Sequence, residues 1–133
     1  EWTNKRQSNA HTIWSAAEKC LGLNVSDIPD YIEHAVYKCY VFVKPEELKP
    51  GWTRDKIMAE INALGVPCFS GSCSEVYLEK AFDSTDFRPK ERLPNAKVLG
   101  ETSLMFLVHP TLTEDEMKQT CDAIKGVMDL ATY

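Results

Sequence analysis

The chain has 133 residues, 44% of them apolar and 26% charged, ordinary globular values that exclude a disordered or fibrous protein. Its net charge of −5 argues against general nucleic-acid binding, which needs a basic face to displace counterions. No apolar run approaches the roughly 18 residues of a membrane span, and the start, EWTNKRQSNAHTIW, lacks the apolar centre of a secretory signal.

The first segment reads as a long helix. Ala10, Ile13, Trp14, Ala17 and Leu21 recur at steps of three and four, with Gly22 as its C-cap. Asn24 to Pro29 read as a linker. A strand is expected from Ala35 to about Val43, with Tyr37, Cys39, Val41 and Val43 on one face and Val36, Lys38, Tyr40 and Phe42 on the other. Apolar groups on both faces imply a strand covered on both sides. Thr53 can cap a helix with the buried stripe Ile57, Ile61 and Leu64, ended by Gly65. Val66 to Phe69 make a short strand running into the loop Ser70-Gly71-Ser72-Cys73, after which Ser74 can cap a short helix containing Tyr77.

Residues 92 to 100 read as another short helix with Pro94 in its first turn, and Thr102 to Val108 as a third strand. The last helix opens with the capping box Thr113-x-x-Glu116 and carries the stripe Met117, Cys121, Ile124, Val127 and Met128. The expected architecture is a compact α/β (α+β) sandwich, a small sheet of about three strands packed with helices. It is read as one domain over 1–133, with 1–22 as a connecting helix and 34–133 as sheet and helices.

The loop CFSGSCSEVY holds the main candidate chemistry. Gly71 permits a tight turn, and Ser72, Cys73 and Ser74 present donors beside the start of a helix, a small-anion site. The plainer reading is a turn followed by a Ser74 cap, and a lone Ser-Gly-Ser favours it. Cys68 and Cys73 stand as Cys-x4-Cys, without the second ligand pair of a zinc site or the two-residue spacing of a redox motif. One of them reads as core and the other as turn. His11, His34 and His109 lie far apart in sequence, each without a ligand or nucleophile at short spacing, so no catalytic residue and no metal site is read. Trp2, Trp14 and Trp52 read as packing groups. The odd count of 5 cysteines, in a chain large enough to fold without stapling, points to reduced thiols and a cytoplasmic setting.

Five motifs, in order, carry a family resemblance. They are Glu1-Trp2 through Ala10, His34-Ala35-Val36-Tyr37-Lys38-Cys39-Tyr40-Val41, Gly65-Val66-Pro67, Leu93-Pro94-Asn95-Ala96, and the apolar strand ending in His109-Pro110 before Leu112-Thr113. Together they resemble the C-terminal small domain of the DegT/DnrJ/EryC1/StrS sugar aminotransferases, fold-type-I enzymes that use pyridoxal phosphate (PLP). The resemblance implies a piece of a longer, homodimeric, cytoplasmic enzyme, and the start without Met agrees with a piece. Such an enzyme moves an amino group, usually from glutamate, onto a keto sugar carried by a nucleotide. It also implies that PLP, its lysine and its phosphate site belong to a large domain outside these residues. No cofactor is therefore expected on this piece alone.

The departures from the family pattern fall in one place. After Gly-[Ile/Val]-x the family reads T-x-x-[HY]-Y-P-x-P-L-H, a loop that reaches the substrate. Here Gly71 stands at the loop's His/Tyr, Tyr77 at its final His, and Lys38 where many members have His. Ser70, Gly71, Ser72, Cys73, Glu75 and Tyr77 are thus the substrate-loop candidates, with Lys38 as a strand candidate. The competing reading, from a different class, is an independent α/β small-molecule binding or regulatory domain.

Overall fold

The computed structural model describes all of residues 1–133. Helix α1 (Trp2–Ala17) is followed by strand β1 (Leu23–Val25), strand β2 (Cys39–Val43), helix α2 (Arg54–Ala63) and strand β3 (Cys68–Phe69). Helix α3 (Pro94–Thr102) then runs without a loop into strand β4 (Ser103–Phe106), and helix α4 (Glu114–Ala131) ends the fold. Short 3-10 turns occupy Pro45–Glu47, Val76–Leu78 and Lys80–Phe82. The four strands form one antiparallel sheet in the order β1-β2-β4-β3. The class is α+β, with four strands where about three were expected.

Helices α1, α2 and α4 cover the sheet, and the core lies between them. Its largest fully buried side chains are Phe106, Ile13, Ile57, Ile61, Leu104, Ile124 and Met128. All four residues of β4 are buried, as a central strand enclosed on both sides requires. The stripe predicted for α4 is buried in full. Its capping box is closed: Thr113 Oγ1 accepts from the Glu116 amide at 3.2 Å, and Glu116 Oε2 accepts from the Thr113 amide at 2.7 Å. Thr53 caps α2 in the same manner, accepting from the Lys56 amide.

Several expectations are corrected. Helix α1 stops at Ala17, and Leu21, placed on its buried stripe by periodicity, is half exposed. Gly22 does not cap the helix; with φ +81 it swings the chain into β1, and its carbonyl accepts from the Lys44 amide at 2.8 Å. Residues 23–25, within and beside the supposed linker, pair with β2 in the register Leu23↔Val43 and Val25↔Val41. Leu64 is exposed, because α2 ends one residue before it. Thr102 closes α3 and does not open the strand.

The strand expected from Ala35 begins only at Cys39, for a local reason. Val36 adopts φ +44, a left-handed conformation that a β-branched residue takes only where its surroundings hold it. Its side chain is buried in the core and its amide donates to His34 Nδ1 at 3.0 Å. The reversal breaks the two-residue alternation, so Val36 points inward and Tyr37 is left 77% exposed. Cys39, Val41 and Val43 share one buried face, as their alternation indicates, but Tyr40 and Phe42 on the other are only half-buried, so β2 is fully covered on one side rather than on both.

Candidate functional site

Strand β2, the loop after β3 and the approach to α3 converge on one edge of the molecule. The loop is pinned at three points. At its start, Ser103 Oγ on β4 donates to the Ser70 carbonyl at 2.7 Å, and the Ser103 carbonyl in turn accepts from Arg54 Nη1 at 2.8 Å. In its middle, Tyr40 Oη accepts from the Ser72 amide at 3.0 Å and donates to Ser72 Oγ at 3.1 Å. Lys38 Nζ donates to the same Oγ at 3.1 Å. At its end, Glu75 receives both Arg92 Nε, at 2.8 Å, and Arg92 Nη2, and accepts from Tyr77 Oη at 2.7 Å. Tyr77 Oη accepts from the Leu93 amide at 2.9 Å, which ties the loop to the first turn of α3.

Gly71 is the one loop position where a side chain has no room. Its φ is +88, and a Cβ there would stand 2.3 Å from Tyr40 Cε1 and 2.9 Å from Tyr40 Oη. The ring of Tyr40 lies under the turn, and only a residue without Cβ passes over it.

The loop lines a cleft of about 450 Å³ together with Arg54, Glu79, Arg92, Gly100 and Glu101. Of the sequence candidates, Ser70, Ser72 and Cys73 are exposed at this cleft, whereas Glu75 and Tyr77 are buried beneath it. Lys38, predicted on the strand, sits just before β2 and reaches Ser72. No Ser74 cap forms: the segment after it is a 3-10 turn of 3 residues preceded by Glu75, so the helix N-terminus of the anion-site reading is absent. Sequence reasoning missed Tyr40 and Arg92. Alternation places Tyr40 on a sheet face and says nothing of the loop above it, and nothing in the spacing of Arg92 from Glu75 marks them as partners.

Electrostatics follow the contacts. The Arg92 guanidinium, and then the Tyr77 hydroxyl, pull the Glu75 carboxyl down to about 2. Burial raises Tyr77, and its bond to Glu75 raises it further. Burial acts upward on Tyr40, but the bond from the Ser72 amide and the charge of Lys38 act downward, and this phenol lies below its ordinary value. A carboxyl ordinarily at 4.5 and depressed to about 2 contributes stability that is fully present above pH 4.5 and lost as pH falls toward 2. The melting temperature of the wild-type chain should therefore exceed that of Glu75→Gln near neutrality, with the gap closing through this acid window. A gap that stays constant down to pH 2 would show that Glu75 is not held by Arg92.

The cysteines divide by position. Cys39 and Cys68 are buried, with thiols pushed up to about 12 by burial, while Cys73 is exposed with its Sγ 3.6 Å from Glu79 Oε1. Of Cys68 and Cys73, one is core and the other turn, as the sequence indicated. No group of three or more His, Cys, Asp or Glu side chains gathers as a metal site. No helix is long and apolar enough to cross a membrane. Beside the loop cleft, Arg6, Tyr37, Phe69, Met105 and Leu107 border an apolar groove of about 360 Å³, and Arg6 Nε is buried without a hydrogen-bond partner.

Comparison with known proteins gives this geometry a context. The sequence model of the DegT/DnrJ/EryC1/StrS aminotransferase family matches residues 1–125. An aminotransferase from Psychrobacter cryohalolentis is 57% identical with a TM-score of 0.90, over 97% of this chain and 35% of that one. DesV of S. venezuelae, solved with a ketimine intermediate, is 17% identical with a TM-score of 0.81, over 96% of this chain and 32% of that one. The E. coli GDP-4-keto-6-deoxy-D-mannose-3-dehydratase, solved with hydrated PLP, is 17% identical with a TM-score of 0.74, over 92% of this chain and 31% of that one. The last two show the fold alone. No curated protein sequence matches. The chain spans about a third of the length of these structures.

Proposed function

The chain belongs to the DegT/DnrJ/EryC1/StrS aminotransferase family, and we propose that it is the small domain, residues 1–133, of a PLP-dependent aminotransferase acting on a nucleotide-linked keto sugar. In this reading glutamate supplies the amino group, the parent is a cytoplasmic homodimer, and α1 connects the small domain to the large one. The observation that carries the proposal is the 57% identity to an aminotransferase over nearly the whole chain. Ser70, Gly71, Ser72 and Cys73 are the substrate-facing part of the loop, while Glu75, Tyr77 and Arg92 brace it from below. The apolar groove at Tyr37 and Phe69, with the unpartnered Arg6 Nε, is surface that the rest of the parent would cover.

The residues present do not by themselves suit PLP. No lysine of the chain is buried, and Lys38 already spends a proton on Ser72. The loop cleft carries Glu75, Glu79 and Glu101, whose charges oppose a cofactor phosphate. The reacting lysine and the phosphate cradle are accordingly assigned to the large domain, and the small domain is given no chemical step.

The test uses the full-length parent with PLP, glutamate and a nucleotide-linked keto sugar. Formation of the amino sugar and 2-oxoglutarate in equal amounts is the expected result. In parallel, borohydride treatment of the 133-residue chain with PLP should fix no stoichiometric cofactor on any single lysine. A parent that transfers no amino group to any keto sugar, or a chain that captures PLP alone, would sink the proposal.

A further inference from the structure

We propose that Tyr40 is the positioning residue of the substrate loop: it turns Ser72 so that one hydroxyl proton faces the cleft, which obliges the bound substrate to present an acceptor oxygen there. The proposal rests on the placement of the substrate at this loop, and it goes further by naming the group that sets the loop and the kind of atom it selects.

The argument is a count of protons. Tyr40 and Ser72 carry two hydroxyl protons between them. One lies in the bond between Tyr40 Oη and Ser72 Oγ, at 3.1 Å. The Ser72 amide fills an acceptor position on Tyr40 Oη, and Lys38 Nζ fills one on Ser72 Oγ. Ser72 Oγ thus accepts twice, and its own proton has no acceptor within the chain. Lys38 adds two further N–H protons at the same spot. At this point the two groups offered, Ser72 Oγ–H and Lys38 Nζ, are donors, which suits a neutral acceptor, a hydroxyl or carbonyl oxygen of the substrate; Glu75, Glu79 and Glu101 elsewhere in the cleft oppose a carboxylate or phosphate.

Tyr40 is rigid enough to dictate this arrangement. Its backbone pairs with Met105 in the centre of the sheet, and its carbonyl accepts from Trp14 Nε1 at 3.0 Å. Its ring stacks beside Phe42, with centroids 6.4 Å apart, and lies under Gly71, whose missing Cβ lets the turn sit on it. The middle of the loop is therefore tied to the sheet through this phenol, with Lys38 beside it.

The experiment is kinetics on Tyr40→Phe, Ser72→Ala and the double variant of the full-length parent. Each single change should raise the KM for the sugar substrate about five- to tenfold, the worth of one hydrogen bond, with kcat within about twofold. The double variant should be no worse than either single, because both remove one contact. A raised KM for Ser72→Ala with none for Tyr40→Phe overturns the role of Tyr40 and leaves the loop reading intact. Additive losses overturn it as well, since Tyr40 would then act independently of Ser72. No change in either variant removes the substrate from this loop, and the wider placement fails with it. A measurement on the 133-residue chain stands apart from catalysis. The Ser72 amide should exchange faster in Tyr40→Phe while the β4 amides keep their protection, and unchanged Ser72 exchange would also overturn the proposal.

Discussion

Replacing Phe106 by Ala is expected to destabilise the chain by about 3–5 kcal/mol, the range for truncating a buried aromatic. Phe106 is 1% exposed and sits on β4 opposite both Cys39 of β2 and Cys68 of β3, so its ring is enclosed where three strands meet. Those two neighbours are smaller than Phe and fixed in strands, and they cannot move in to fill the space. A domain of this size has about 5–15 kcal/mol of stability in total, so the change should remove a large part of it. Urea unfolding is the measurement, with the midpoint falling and the slope unchanged. Leu107→Ala, at a neighbouring residue 45% exposed, is the control and should cost far less. Equal losses at the two positions would mean that β4 is not the enclosed centre of the sheet.

Where local chemistry and tertiary demand agree, the elements were legible in the chain. The capping box at Thr113 and the stripe from Met117 to Met128 specify α4 on their own, because both signals repeat over several turns. Strand β1 left no such mark. It is 3 residues long, its middle residue is Asn24, and the only strand it pairs with is β2, about 18 residues away, which no local pattern announces. Val36 is a second example. Alternation assumes a continuous strand, and the positive φ at Val36 resets it, so the inward and outward residues exchange places before Cys39. The fold class survives both differences because neither touches the core face of a long element.

The site was legible in part. The loop could be located from its motif and from Gly71, but the supports under it could not. Tyr77 reads in sequence as part of a short capped helix and as a substrate-loop candidate, yet it is 9% exposed with its hydroxyl shared between Glu75 and the Leu93 amide. Arg92 lies 17 residues beyond Glu75, across a segment with no regular pattern. One signal lies in the resemblance, which puts Gly71 at the position of the family loop's His or Tyr; in this structure the ring of Tyr40 packs against that glycine.

Gly71→Ala should consequently be the most damaging single change at the loop. At φ +88 any side chain is strained, by about 1–2 kcal/mol in the left-handed region. The added Cβ would also meet Tyr40 Cε1 at 2.3 Å and Tyr40 Cζ at 3.0 Å. A flexible neighbour would swing aside, but this ring is tied at Oη to Ser72 and at its backbone to Met105 and Trp14. The loop must therefore lift, and lifting breaks the Ser72 contacts with both Tyr40 and Lys38. In the full-length parent, kcat/KM for the sugar should fall at least about tenfold, corresponding to some 1.4 kcal/mol of lost transition-state stabilisation. The absorbance of bound PLP should be unchanged, since this loop holds no part of the cofactor in the proposed arrangement. Gly126→Ala makes the same chemical change where a Cβ has open space, and it should leave kcat/KM within about twofold. If Gly71→Ala behaves like Gly126→Ala, the loop tolerates displacement and its geometry does not govern the substrate. If it abolishes PLP absorbance as well, the damage reaches beyond the loop and the division of labour between the two domains is wrong. Selective loss of sugar turnover is the one result that joins the close packing of Gly71 on Tyr40 to the recognition of substrate.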